Sequence, residues 1–195
     1  AEKLGKLPGQ TLGEDVRSVS VEVEGAAAQL NQKPITGAVL AGLMGTYSQT
    51  VNMVNAPFLA KERGLDVREV RHDREGDYHT LVAVQIRTSK GPMPVAGTLF
   101  GNKAPRLVEL FGVEVEAELA GTMIYIVNTD TPGFIGRLGT ALGEAGINIP
   151  TFNLGRREAL GEAVALVAVD GDVPAEVVAT LTKLEGVRDV VPLRF

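Results

Sequence analysis

The chain has 195 residues, of which 45% are hydrophobic and 22% are charged, and its formal net charge is −5. This composition is typical of a globular protein of one large or two small domains, and the acidic excess argues against nucleic acid as a partner. Because the sequence contains no cysteine, disulfides, thiolate zinc sites and cysteine nucleophiles are excluded together, which fits a cytoplasmic protein.

The first 57 residues contain no pattern typical of a membrane span or a signal peptide. The longest uncharged stretch, residues 34–57, is interrupted by Asn, Gln, Thr, Ser and several Gly, so we expect no membrane span. No signal-peptide pattern opens the sequence. Residues 1–9 are typical of a helix tail that runs into a linker, and we predict that they lead out of a further region upstream.

Residues 10–121 are predicted to form a mixed α+β domain with a long sheet. Residues 15–24 alternate with period two, which indicates one half-buried strand. A helix rich in small residues is expected over 35–47, and a short helix capped by Asn55 is expected to end at Gly64. The other segments have the pattern of antiparallel strands, at residues 67–71, 80–88, 93–100, 106–111 and 113–119.

Residues 122–195 have a self-contained pattern with a boundary near residue 121. The predicted order is strand, helix, strand, strand, helix, strand, at residues 122–128, 132–145, 147–154, 162–169, 172–186 and 187–193. This order is the ferredoxin-like arrangement, in which two helices cover one face of a four-stranded sheet and the other face needs another cover. Pro150 places the second strand at an edge or a bulge, and the apolar run 162–169 is expected to be central. Residues 155–161, between these two strands, are predicted to be a polar turn.

The first helix of this region carries four glycines. Each interior Gly costs about 1 kcal/mol relative to Ala, so their presence needs a reason. We interpret Gly139 and Gly143 as sites of close packing. Gly133 and Gly136 are expected to serve the opening of a binding site.

The most informative motif is the stretch 128–133 (NTDTPG), where an apolar strand ends and the helix is expected to open with Pro132 at its first position. A helix N-terminus offers free N–H groups and suits a carboxylate. Asp130 lies beside it, and Asn148, at the start of the next strand, is expected to face the same spot. These groups suit a free amino acid. The ordinary alternative is that Asp130 only caps the helix and Asn148 only closes a turn.

No set of nucleophile, base and orienting group is found, so the chain alone is not expected to be an enzyme. His72 and His79 both lie in the charged stretch 71–79, which is predicted to be a solvated turn and not a metal site. Glu114, Glu116 and Glu118 alternate along one strand and indicate a solvated edge. We expect no metal and no cofactor in this chain.

A basic turn over residues 97–106 carries Lys103 and Arg106. Paired cations in a glycine-bounded turn can bind a small phosphate or carboxylate. The alternative, a surface turn with scattered charge, stays open from the residues alone.

These two regions of the chain resemble domains of two known families. Residues 121–195 resemble an ACT domain, the small amino-acid-sensing module, through DTPG at 130–133 and GINI at 146–149. Residues 10–121 resemble the intervening, allosteric-substrate-binding domain of long-form D-3-phosphoglycerate dehydrogenases. The matching segments are VNMVNAP at 51–57, LAKERG at 59–64 and VAGTLFG at 95–101.

The resemblance implies a parent enzyme that oxidises 3-phosphoglycerate with NAD, with its catalytic region upstream. It implies ACT domains paired edge to edge in a homodimer or tetramer, with L-serine or a similar amino acid between them. The implied effector-binding residues are Asn128, Asp130, Gly133, Phe134, Asn148 and Ile149, with the backbone at 133–134 receiving the carboxylate. It also implies that a phosphorylated hydroxy acid binds in the intervening domain. Arg106 occupies one position that is basic in the family, whereas Glu118 occupies a second such position and departs from the pattern.

Two rival interpretations remain at this point. One is a purely structural module that holds an oligomer together without binding an effector. The other is the amino-acid-sensing part of a different enzyme, such as a dehydratase. The interpretation that we carry forward is a serine-binding regulatory region.

Overall fold

The computed structural model describes residues 1–13, 15–73, 76–157 and 161–195. It divides the chain into two compact units, Ala1–Gly112 and Val113–Phe195. The predicted polar turns 71–79 and 155–161 fall partly outside the described residues, at 74–75 and 158–160. The domain boundary predicted near residue 121 stays a prediction.

The first unit combines a mixed sheet with three helices. Its helices are α1 (Glu2–Leu12), α2 (Gln32–Gly45) and α3 (Ala56–Glu62). Its strands are β1 (Ser18–Gly25), β2 (Asp66–Arg71), β3 (Thr80–Thr88), β4 (Gly91–Phe100) and β5 (Ala104–Leu110), which lie side by side in the order β2-β1-β3-β4-β5. The side chains of β1 alternate between buried and half-buried positions, as the period-two pattern predicts.

Strand β2 runs parallel to β1, with Val19 opposite Val67. The expectation that residues 67–71 form an antiparallel strand was therefore wrong. The chain between β1 and β2 passes through helices α2 and α3, and such a crossover returns the chain in the same direction. The other strand pairs given for this unit are antiparallel.

Residues 1–9, predicted to be a helix tail that runs into a linker, form most of helix α1, which continues to Leu12 where the linker was expected. This helix packs on α2 through glycine. A Cβ placed on Gly5 would lie 1.9 Å from the carbonyl oxygen of Val39, so the two helix backbones touch. Leu4 and Leu7 are buried beside this contact. Close helix approach explains why a segment with the glycine and proline content of a linker is helical here.

The second unit has the predicted ferredoxin-like order of elements. After strand β6 (Val113–Ala117) come β7 (Thr122–Thr129), α4 (Phe134–Glu144), β8 (Thr151–Arg156), β9 (Glu162–Val169), α5 (Ala175–Thr182) and β10 (Val187–Arg194). The four strands after β6 form an antiparallel sheet in the order β10-β7-β9-β8. The central position of β9 and the edge position of β8 are as predicted, although β8 begins at Thr151, after Pro150.

One face of this sheet forms the core of the unit under α4 and α5. Ile124 and Ile126 of β7 pack there against Leu138, Leu142 and Leu181 from the two helices. The opposite face is covered in part by β6, since a Cβ on Gly155 would lie 2.3 Å from the carbonyl oxygen of Glu114. Glu114, Glu116 and Glu118 point away from this contact and are exposed, as the alternation predicts.

Tyr125 lies on the face of the four-stranded sheet opposite α4 and α5, which β6 covers in part, and it is 5% exposed. Burial, with a smaller contribution from Asp189 and Glu162, raises the pKa of its phenol well above the ordinary value of 10.0. The folded state therefore keeps its proton at a pH where the unfolded chain loses it, so this contribution to stability is complete below pH 10 and is lost as the pH rises further. We expect the melting temperature of the wild type to fall between pH 9.5 and 11 more steeply than that of Tyr125→Phe, by about 2 °C or more.

The measurement is thermal unfolding of both proteins from pH 8 to 11. Any effect of removing the hydroxyl itself appears as a constant offset below pH 9. Parallel curves over the whole range would contradict the prediction.

Within the described ranges, the structure contains no helix whose length and apolar character would allow it to traverse a bilayer.

Candidate functional site

A cavity of about 370 Å³ opens where β7 ends and α4 begins. It is lined by the turn between these two elements, by the first turn of α4 and by the end of β8. The lining residues are Asp130, Thr131, Pro132, Gly133, Phe134, Ile135, Gly136, Leu154 and Arg156.

The turn that forms the cavity is held by backbone hydrogen bonds to two neighbouring loops. The N–H of Thr129 donates to the carbonyl of Gly186 at 2.8 Å, and the N–H of Asp130 donates to the carbonyl of Gly161 at 2.8 Å. Arg137 braces the same corner, because its Nη2 donates to the carbonyl of Glu185 at 3.4 Å. These hydrogen bonds fix the turn that forms the opening of the cavity.

Helix α4 begins at Phe134, and Gly133 is its N-terminal cap with φ 84°. Pro132 precedes the cap, so the prediction that it occupies the first helical position was wrong. The left-handed conformation of Gly133 places the proline in the turn before the helix. Asp130 lies three residues before the cap and makes no capping bond to α4, so the helix-cap alternative does not explain this residue.

Asp130 carries the negative charge of the cavity and Arg156 the positive charge. Nη1 of Arg156 donates to Oδ2 of Asp130 at 3.2 Å, and the two side chains are 63% and 22% exposed respectively. Such a half-exposed pair contributes at most about 1 kcal/mol to stability, because water competes for both groups. Its position in a cavity is therefore not explained by stability alone.

Asn128 lies at the end of β7 and is 1% exposed. Its Nδ2 donates to the carbonyl of Thr129 at 2.9 Å. Its Oδ1 is buried and has no hydrogen-bond partner among the residues that the structure describes. A buried acceptor without a donor costs about 1–3 kcal/mol, and a ligand or a bound water that supplies a donor would remove this cost.

Asn148, the other polar residue expected in the site, does not lie at the cavity. Thr151, which opens β8, pairs with Ala168 near the end of β9, whereas Asn128 pairs with Ala163 near its start. The start of β8 and the end of β7 therefore lie at opposite ends of the sheet, about 20 Å apart at a strand rise of 3.3 Å per residue. Asn148 precedes β8 at the far end, where its Nδ2 donates to Oδ2 of Asp170 at 2.8 Å.

Comparison with known proteins agrees with both units. Residues 1–111 match the family model described as the D-3-phosphoglycerate dehydrogenase intervening domain. The chain belongs to this family. Residues 122–186 match the model of the ACT domain. The chain thus has the domain composition of the regulatory part of a D-3-phosphoglycerate dehydrogenase.

The curated relatives that the chain matches are named D-3-phosphoglycerate dehydrogenase. The chain is 35% identical to the D-3-phosphoglycerate dehydrogenase of Bacillus subtilis, over 97% of this chain and 36% of the relative. It is 34% identical to the proteins of that name from Methanocaldococcus jannaschii and Archaeoglobus fulgidus, again over 97% of this chain and 36% of each relative. The chain therefore spans about a third of the length of these relatives.

In the ACT domain, the predicted effector residues fall into two groups. Asp130, Gly133 and Phe134 line the cavity, and Asn128 is the penultimate residue of the strand that leads into it. The side chain of Phe134 is buried in the core. Asn148 and Ile149 lie at the far end of the sheet, so the expectation that Asn148 faces the same spot within one chain was wrong. Two strands joined by a crossover helix run in the same direction, which separates the end of the first from the start of the second.

The packing interpretation of Gly139 and Gly143 was also wrong. A Cβ at either position, or at Gly136, would meet nothing within 4 Å. These three glycines lie on the open side of α4, and Gly136 lines the cavity. Ile135, on the same first turn, is 53% exposed.

Arg156 is the site residue that the sequence analysis missed, because it was placed in a polar turn. The available signal was the alternation along β8: Phe152 and Leu154 are apolar, and Arg156 is the next residue on the same face. Arg156 places a charge where the alternation predicts an apolar residue, at the end of the sheet where β7 also ends. Such a charge indicates a binding site.

In the intervening domain, Lys103 and Arg106 lie on the hairpin between β4 and β5. Lys103 is exposed at the turn, and Nη1 of Arg106 donates to the carbonyl of Pro105 at 3.0 Å. Neither residue lines the ACT cavity. An anion site at this hairpin stays a prediction.

His72 is more than a solvated turn residue, so that expectation was wrong for it. Its Nε2 lies 2.9 Å from Oε2 of Glu22 on the neighbouring strand β1. The pair forms because β2 runs parallel to β1, which the sequence analysis did not foresee. His79 is exposed, as expected of a turn.

Proposed function

We propose that this chain is the regulatory region of a D-3-phosphoglycerate dehydrogenase and that its ACT domains bind L-serine between two copies of the chain. Bound L-serine would act as a feedback inhibitor of an NAD-dependent catalytic region elsewhere in the protein. The observation that carries the proposal is the cavity at the start of α4, in which Asp130 lies beside the N-terminal turn of that helix.

The chemistry of this cavity fits a small α-amino acid. The carboxylate of Asp130 suits the ammonium group of the ligand, as a charge-assisted hydrogen bond. The N-terminal turn of α4, around Gly133 and Phe134, suits its carboxylate, because it is the positive end of the helix dipole. The N–H of Phe134 itself donates to the carbonyl of Thr131 at 3.3 Å. The buried Oδ1 of Asn128 lies at the strand end that leads into the cavity and could accept from a hydroxyl or ammonium group.

A second copy of the chain can supply the missing amide. β8 is the edge strand of the ACT sheet, with Leu154 37% exposed beside Ile135. If β8 pairs with β8 of a second copy in the antiparallel sense, the start of one strand lies next to the end of the other. Asn148 of each copy then approaches Asp130 of the other, at two symmetric sites. The uncrowded glycine side of α4 leaves room for the partner's helix.

Regulation follows if L-serine binds one arrangement of the two copies better than another. A ligand shifts a conformational equilibrium only through its different affinity for the two states. A site shared between copies has this property, because it is complete only when both halves meet. We further propose that the intervening domain binds a phosphorylated hydroxy acid near Lys103 and Arg106.

The test of a shared site is complementation between two variants. Asp130→Ala and Asn148→Ala each damage both sites of a homodimer, so neither alone should bind L-serine at wild-type affinity. A mixed dimer keeps one intact site, formed by Asp130 of one copy and Asn148 of the other. Equimolar co-refolding should therefore restore about a quarter of the wild-type sites if the copies mix at random.

The readout is isothermal titration calorimetry with L-serine, with wild type taken through the same refolding as the control. A mixture that binds no better than its separate components would contradict a site shared between copies. A dimer that persists while no variant and no wild type binds L-serine would favour the purely structural module.

A further inference from the structure

Arg156 stands in line with two other residues across the end of the ACT sheet. Asn128 on β7 pairs with Ala163 on β9, and Ala163 pairs with Arg156 on β8. Paired residues of neighbouring strands share a face, so all three lie on the face that α4 covers. The strands of Asn128 and Arg156 are about 10 Å apart, and the small Ala163 between them leaves space for the arginine to reach Asp130.

A stabilising role does not account for Arg156. The residues before it on the same face of β8, Phe152 and Leu154, are apolar, and Phe152 packs on the core. An apolar residue at 156 would continue this pattern. The ion pair with Asp130 that replaces it is half exposed, and such pairs add little stability. Its effect is instead to place a guanidinium in the cavity beside the carboxylate of Asp130.

An internal pair of opposite charges makes the cavity neutral before a ligand enters. A zwitterion can separate the pair and compensate both charges, with its ammonium group on Asp130 and its carboxylate on Arg156 and the amides of α4. An amine without a carboxylate would take Asp130 from Arg156 and leave the guanidinium without a partner. A site that contains a charged group rejects ligands that cannot pair with it.

We propose that Arg156 binds the carboxylate of the amino-acid effector and thereby restricts the ACT site to zwitterionic amino acids. This inference rests on the proposed function, because it assigns a specificity-determining residue to the same site. The planar guanidinium suits a carboxylate better than a point charge does, since it can donate two parallel hydrogen bonds.

The experiment compares L-serine with ethanolamine, which is L-serine without its carboxylate, by calorimetric titration of the full chain. Four proteins are used: wild type, Arg156→Gln, Arg156→Lys and Arg157→Gln. Arg157 is the matched control, because it is the neighbouring exposed arginine and does not line the cavity. Melting curves confirm that each variant is folded.

Wild type and Arg157→Gln are expected to bind L-serine and to bind ethanolamine at least about tenfold more weakly. Arg156→Gln should bind L-serine about tenfold or more weakly than wild type, with its preference over ethanolamine largely lost. Arg156→Lys should recover part of both effects.

Equal L-serine affinity and equal preference in wild type and Arg156→Gln would overturn the role of Arg156 and leave the proposed function intact. Tighter L-serine binding by Arg156→Gln would also overturn it, since the arginine would then compete with the ligand for Asp130. An equal loss in Arg157→Gln would reduce the effect to net charge. If wild type binds neither compound, the proposed function itself fails.

Discussion

Replacing Asp130 by alanine is expected to weaken L-serine binding by about 10- to 150-fold, the range that corresponds to a lost charge-assisted hydrogen bond of about 1.5–3 kcal/mol. Among the cavity-lining residues that the structure describes, Asp130 carries the carboxylate that can form an ion pair with the ligand's ammonium. Its loss also leaves Arg156 without its partner in the free protein. Calorimetric titration of the variant and of wild type gives the two affinities.

The chain offers a closely matched control in Asp172. Arg194 donates from Nη2 to Oδ1 of Asp172 at 2.6 Å, so this is also an aspartate paired with an arginine. Arg194 pairs with Thr122 at the start of β7, which places Asp172 at the far end of the sheet from the cavity. Asp172→Ala should leave L-serine affinity within a factor of two of wild type. A similar loss in both variants would show that net charge, and not the Asp130 contact, governs binding.

Gly42→Ala is expected to destabilise the first unit by about 3 kcal/mol. A Cβ at this position would lie 2.0 Å from the carbonyl oxygen of Glu2 and 2.8 Å from the backbone nitrogen of Lys6. Both are backbone atoms of α1, so the helix itself must move. The gain in helix propensity from Gly to Ala, about 1 kcal/mol, is too small to offset this overlap.

Gly45→Ala in the same helix is the control, because a Cβ there would meet nothing within 4 Å. It should be neutral or stabilising by up to about 1 kcal/mol. Urea unfolding gives the two free energies, and hydrogen exchange of peptides from residues 1–12 reports on α1 directly. Equal stability of the two variants, with unchanged exchange in α1, would refute a glycine-mediated helix contact.

The elements of the ACT domain were predictable because their patterns are local. The apolar run 162–169 identified β9 as a central strand, and Pro150 placed β8 at an edge. The turn motif at 130–133 located the cavity. Each of these signals arises from a few neighbouring residues and from the burial that they require.

The features that sequence analysis missed depend on relations between distant segments. The parallel pairing of β1 and β2 follows from the crossover through α2 and α3, and the contact between His72 and Glu22 follows from that pairing. The separation of Asn148 from Asp130 follows from the shared direction of β7 and β8. Arg156 reaches Asp130 only because two sheet registers align, and no local pattern contains this information.

The predicted Pro132 position failed for a smaller reason. Proline at the first helical position is common, but Gly133 adopts a positive φ as the cap, so the helix begins at Phe134, two residues later than predicted. The difference changes the site, because Pro132 then belongs to the turn that lines the cavity and not to the helix.

The most direct test of the central claim is calorimetric titration of the wild-type chain with L-serine. The account predicts saturable binding with a stoichiometry of about one L-serine per chain, as two symmetric sites in a dimer require. It also predicts weaker binding to Asp130→Ala and unchanged binding to Asp172→Ala. The absence of saturable heat up to about 10 mM, a concentration at which even a millimolar Kd would be detected, would contradict the account.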